Sequence, residues 1–69
     1  MKLRTCVRVG FALKGGNQEL LAIHLNKAPA TVSKYLNGQI DPPFSVVLGM
    51  CEYFKVSPSI FFSWGDSNV

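Results

Sequence analysis

Apolar positions recur along the chain at helical rather than strand spacing, and Gly, Pro and Asn cut the pattern into five short segments. Leu3, Cys6, Val7 and Leu13 mark a first helical face, which Gly15-Gly16 stops. Asn17, whose side chain can accept from the open N–H groups of a helix start, begins a second segment with Leu21, Ala22 and Leu25 on one stripe. Asn26 stands where that helix must end and turn, because Asn tolerates the left-handed conformation. Pro29, with its fixed φ and missing N–H, suits the first position of a third helix. The buried side of that helix is Val32, Tyr35 and Leu36, and it runs for about nine residues to an Asn37-Gly38 stop.

Asp41-Pro42-Pro43 breaks the chain again, and Phe44, Val47, Leu48, Cys51 and Phe54 then form the cleanest stripe in the sequence, a fourth helix. Ser57-Pro58 repeats the cap-then-proline start, and Ile60, Phe61 and Trp64 give a fifth short helix ended by Gly65. The runs around Val46-Val47 and Ile60 to Phe62 lack period-two alternation, and Asn37-Gly38 has a helical stripe on each side rather than two strands. The predicted fold is all-α, with residues 1–65 as a single domain and 66–69 as a loose tail.

Composition narrows the function classes. Of 69 residues 48% are hydrophobic, enough for one modest core but not for a deep catalytic pocket as well. One His, no paired carboxylates at useful spacing, no CxxC and no phosphate-cradling Gly-rich loop speak against an enzyme. His24 reads as a surface or half-buried structural residue, and Cys6 and Cys51 as reduced core thiols, so neither a metal site nor another cofactor is expected. No apolar run approaches a membrane span, and the basic start is not followed by a secretory signal, which points to a cytoplasmic protein. A net charge of +3 suits a polyanionic partner without requiring one.

The second and third segments carry the most specific signal. Two helices joined by so short a turn pack steeply only if the facing positions are constrained. Leu21 and Leu25 face the next helix, Ala22 is small enough to let it approach, and Val32 and Tyr35 pack back from the other side. From Gln18 to Phe62 the chain resembles the lambda-repressor-like, Cro-type helix-turn-helix family. The matching residues are Gln18-Glu19-Leu20-Leu21-Ala22, Thr31 to Gly38, Pro42, and Leu48 to Phe54 followed by Lys55-Val56-Ser57-Pro58. The chain departs from the family pattern at Asn26, Lys27 and Ala28-Pro29, and at Gly10-Phe11 in its first segment.

The resemblance implies a compact five-helix domain that binds double-stranded DNA with helices 2 and 3. Helix 3, from Pro29 to Asn37, would enter the major groove N-terminus first while helix 2 lies across the backbone. Base contacts would then come from Pro29, Ala30, Thr31, Ser33 and Lys34, with Lys34 best placed for a guanine O6/N7 edge. Phosphate contacts would come from Lys14, Asn17, Gln18, Lys27, Asn37 and Gln39. A regulator of this kind usually works as a twofold dimer on a palindromic operator, and Phe44, Val56, Ile60, Phe61, Phe62 and Trp64 supply the expected dimer surface. The reading is a Cro-like phage or prophage repressor acting by operator occlusion, with no small-molecule ligand and no membrane. The alternative is a protein-interaction module on the same helices, antitoxin-like or contacting polymerase, for which Glu19 is a candidate residue.

Overall fold

The first and last helices of the chain pack side by side, and the three between them wrap around a core that both helices share. The computed structural model describes residues 3–66, and all five helices are present: α1 Leu3–Lys14, α2 Gln18–Leu25, α3 Pro29–Leu36, α4 Phe44–Phe54 and α5 Pro58–Gly65. No strand occurs among the described residues. Of the expected loose tail, Asp66 closes α5 by donating its N–H to the Ser63 carbonyl at 3.2 Å, and 67–69 lie outside the described residues.

The core contains Cys6 and Val7 of α1, Leu21 and Ala22 of α2, Val32 and Tyr35 of α3, five residues of α4, and Phe61 of α5. Phe54 is its aromatic centre. Its ring stacks on Phe61 at 6.2 Å and meets Phe11 and Trp64 edge-on at 5.5 and 5.7 Å. Gly10 and Phe11, where the chain leaves the family pattern, therefore act as a pair: the bare Gly10 backbone makes room for the Phe54 ring, and Phe11 closes its edge.

Three sequence expectations change. Leu13 is 64% exposed, because it stands in the last turn of α1 beyond the packed core, whereas Gly10, invisible to a hydropathy pattern, continues the buried stripe. On α4 the buried residues are Val46, Val47, Met50, Cys51 and Phe54, so the face is rotated from the predicted one and Phe44 and Leu48 are exposed. This helix is apolar around most of its circumference, and hydropathy alone cannot orient it. On its α2 side the helix comes close at Gly49, where a Cβ would lie 2.6 Å from Leu25 Cδ2. Third, α3 ends at Leu36, and Asn37 is its cap rather than its last residue.

Phe61 also differs from its expected place at a dimer surface. It is wholly buried, because α5 must fill the space beside Phe54, and it offers nothing to a partner. Phe62, Trp64 and Val56 are half-buried against the core. Of the expected patch, Phe44 and Ile60 are exposed, at 65% and 49%.

Candidate nucleic-acid interface

The connection from α2 to α3 is short because Asn26 adopts the left-handed conformation, φ 57°, ψ 42°. Its N–H donates to the Ile23 carbonyl at 3.1 Å, and the Lys27 N–H reaches back to the Ala22 carbonyl at 3.0 Å. That second bond is the 6→1 closure of a Schellman turn, so the missing family Gly costs little. Ala22 is completely buried in the core that α2 shares with α3.

Each helix of the pair presents open backbone donors at its start. Asn17 is extended, its Oδ1 accepts from the Leu20 N–H at 2.9 Å, and its carbonyl accepts from Leu21 N–H at 3.0 Å. The Gln18 and Glu19 amides have no acceptor within the helix, and the cap leaves the Asn17 side-chain amide as a further donor. The start of α3 has no side-chain cap, because Ala28 precedes Pro29. The Ala28 carbonyl takes the Thr31 and Val32 N–H groups at 3.0 and 3.1 Å, and the Ala30 N–H points outward from the first turn.

Along α3, Val32 and Tyr35 face the core, Pro29, Ala30 and Lys34 are exposed, and Thr31 and Ser33 are half-buried. Past its end, Asn37 donates its side-chain amide to Ser33 Oγ at 3.4 Å. Gly38, at φ 78°, lets the Gln39 N–H return to the Lys34 carbonyl at 3.0 Å. The Asn37 and Gln39 side chains are exposed, as are Lys14 at the end of α1 and Lys27 in the turn. Gln18 is half-buried and Asn17 exposed. All the expected base and phosphate residues thus have surface available.

One feature had no signal in the sequence. Arg4 of α1 shares a cleft of about 470 Å³ with Tyr35, Asn37, Gly38 and Asp41, so a cation from the first helix stands beside the end of α3. Only the packing of α1 on α3 brings these distant positions together. His24 is exposed and lies edge-on to Tyr53 at 5.5 Å. Among the described residues no three of His, Cys, Asp and Glu are gathered as a metal site, and no helix is long and apolar enough to cross a membrane.

Both cysteines are buried and unpaired, and burial pushes each thiol above its ordinary pKa. They belong to the packing of α1 and α4 rather than to the surface just described.

No curated protein and no solved structure matches the chain. The pattern of the Helix-turn-helix family matches residues 12–61, from the last turn of α1 into α5, which leaves out the Gly10-Phe11 departure and includes both helices of the pair. On that match, and on an α2–α3 pair joined by the Asn26 turn over a shared core, the chain belongs to the lambda-repressor-like helix-turn-helix family of DNA-binding transcription regulators.

Proposed function

We propose that this protein is a sequence-specific operator-binding repressor of the Cro kind, active as a homodimer on a palindromic site and repressing by occlusion of a promoter. The supporting observation is the exposed face of α3 with Lys34, flanked by the open first-turn amides of α2 and α3. Gln18, the Asn17 side chain and the α2 amides hold one phosphate, where the helix dipole favours an anion. Asn37 and Gln39 hold the backbone beyond α3, and Lys14 and Lys27 add cations along the same strand. Lys34 reads a guanine edge, Ser33 a second base, and Pro29, Ala30 and Thr31 offer apolar contact to thymine methyls. With so few long polar side chains on α3, part of the specificity comes from DNA shape. Phe44 and Ile60, with the half-buried Val56, Phe62 and Trp64, supply the dimer contact.

Selection from a randomised duplex pool at two salt concentrations tests this reading. Enrichment of a palindrome with half-sites about one helical turn apart, roughly 34 Å, and affinity that falls with salt are expected. Retention without enrichment would replace it by non-specific binding. No retention at low salt would put the protein-interaction reading first, which draws on the exposed apolar side chains Leu20 and Ile23 of α2, next to Glu19.

A further inference from the structure

Tyr53 stands outside the surface assigned to DNA, yet it connects the aromatic core to the start of α2. Its half-buried ring lies edge-on to Phe54 at 5.1 Å and to His24 at 5.5 Å, and its hydroxyl occupies the place that a Cβ on Gly16 would take. Gly16 has φ 95°, and the residue after it is the Asn17 cap. The neighbouring Gly15 has φ 86° with open space where its Cβ would be. Gly15 is therefore glycine for its backbone angle alone, and Gly16 for that angle and for the approach of Tyr53.

Two successive glycines are the most expensive pair of residues to hold in one conformation. This pair directly precedes the amides of Gln18 and Glu19. An outside contact on the pair therefore determines how well those amides are aimed, and the Tyr53 hydroxyl is that contact. Among the described residues no hydrogen bond engages that hydroxyl.

We propose that Tyr53 is a positioning residue for the DNA phosphate held at the start of α2, acting by confining the Gly15-Gly16-Asn17 turn. The inference rests on the assignment of Gln18 and the α2 amides to a phosphate. Tyr53 touches no DNA. It transmits the rigidity of α4 to the one helix start that meets the DNA backbone across the strand.

The test compares wild type, Tyr53→Phe, Gln18→Ala and the double variant in duplex binding, using the selected site and a random duplex. Tyr53→Phe keeps the ring and removes only the hydroxyl. Its expected effect is a loss of roughly three- to tenfold in affinity on both duplexes, the size of effect of residues that act through others. Its thermal midpoint stays at the wild-type value, and its backbone amide resonances shift from Gly16 to Glu19 and not elsewhere. The double variant loses less than the product of the single losses, because both substitutions disable one phosphate contact. Wild-type affinity of Tyr53→Phe beside a weakened Gln18→Ala would overturn the role of Tyr53 and leave the phosphate assignment standing. Wild-type affinity of both would overturn the assignment and the inference together. Multiplying losses would also overturn it, since Tyr53 would then act elsewhere.

Discussion

The Phe54 ring rests on the backbone of Gly10: a Cβ at that position would lie 2.7 Å from Cζ and 2.8 Å from both Cε atoms. Ala is ordinarily better than Gly inside a helix by about 1 kcal/mol. Here the order is reversed, because Phe54 is held by Phe11, Phe61 and Trp64 and cannot retreat. Gly10→Ala is expected to destabilise by about 1 to 3 kcal/mol, the usual cost of overpacking. Urea unfolding followed by circular dichroism measures it, and a raised midpoint would mean that the aromatic centre is loosely packed.

Lys55 caps α4 in the left-handed conformation at φ 58°, the same state that Asn26 adopts at the end of α2. Asn tolerates it and Lys does not, at roughly 1 kcal/mol for a residue with a Cβ. Lys55→Gly relieves that strain and keeps the Val56 N–H bond to the Cys51 carbonyl, so a rise in stability of about 0.5 to 1 kcal/mol is expected. Asn26→Gly should gain less. The two variants are compared by thermal unfolding, and an equal gain would show that side-chain type does not matter at these caps.

Asn17 combines a cap with a place at the proposed phosphate, and Asn17→Asp separates the two roles. Asp caps as well as Asn and complements the helix dipole, so the thermal midpoint holds or rises. A carboxylate there repels a phosphate, and DNA affinity should fall at least about tenfold, most steeply at low salt. Unchanged affinity would remove α2 from the DNA contact.

Lys34 is the one long cationic side chain on the exposed face of α3. Lys34→Ala is expected to cost about 1 to 3 kcal/mol on the selected site, with relaxed preference at one base pair and a smaller loss on random duplex. An equal loss on every sequence would make it a phosphate contact.

The thiols give a pH dependence with a definite sign. Burial favours the protonated form of Cys6 and Cys51 in the folded chain, so each folded pKa lies above its unfolded one. Stability is held in full below the ordinary thiol pKa, about 8.5, and falls as the pH climbs from there through the higher folded values. The urea midpoint should drop between neutral and strongly alkaline pH, and less so for Cys6→Ala. At neutral pH iodoacetamide should label neither thiol until urea is added.

The five helices and their stops were legible because Asn17, Asn26, Pro29 and Pro58 each act locally, through a cap, a left-handed turn or a fixed φ. The direction in which α4 faces was not, since the helix is apolar around most of its circumference and only its tertiary neighbours select Val46, Val47, Met50, Cys51 and Phe54 as the buried face. Phe61 belongs to the core and not to the expected dimer patch for a related reason: an aromatic residue looks the same in sequence whether it fills its own core or a neighbour's. The candidate DNA surface could be placed from the turn between α2 and α3, whereas Arg4 beside Asn37, and Tyr53 against Gly16, exist only through tertiary packing.

The side-by-side contact of α1 and α5 sets the order of events when the chain is made. The helices synthesised first cannot close their core around Phe54 until Phe61 and Trp64 have left the ribosome, so α1 and α4 are sealed by the last helix of the chain. A nascent or clipped chain without α5 would carry the whole helix-turn-helix sequence with the aromatic centre of its core still open.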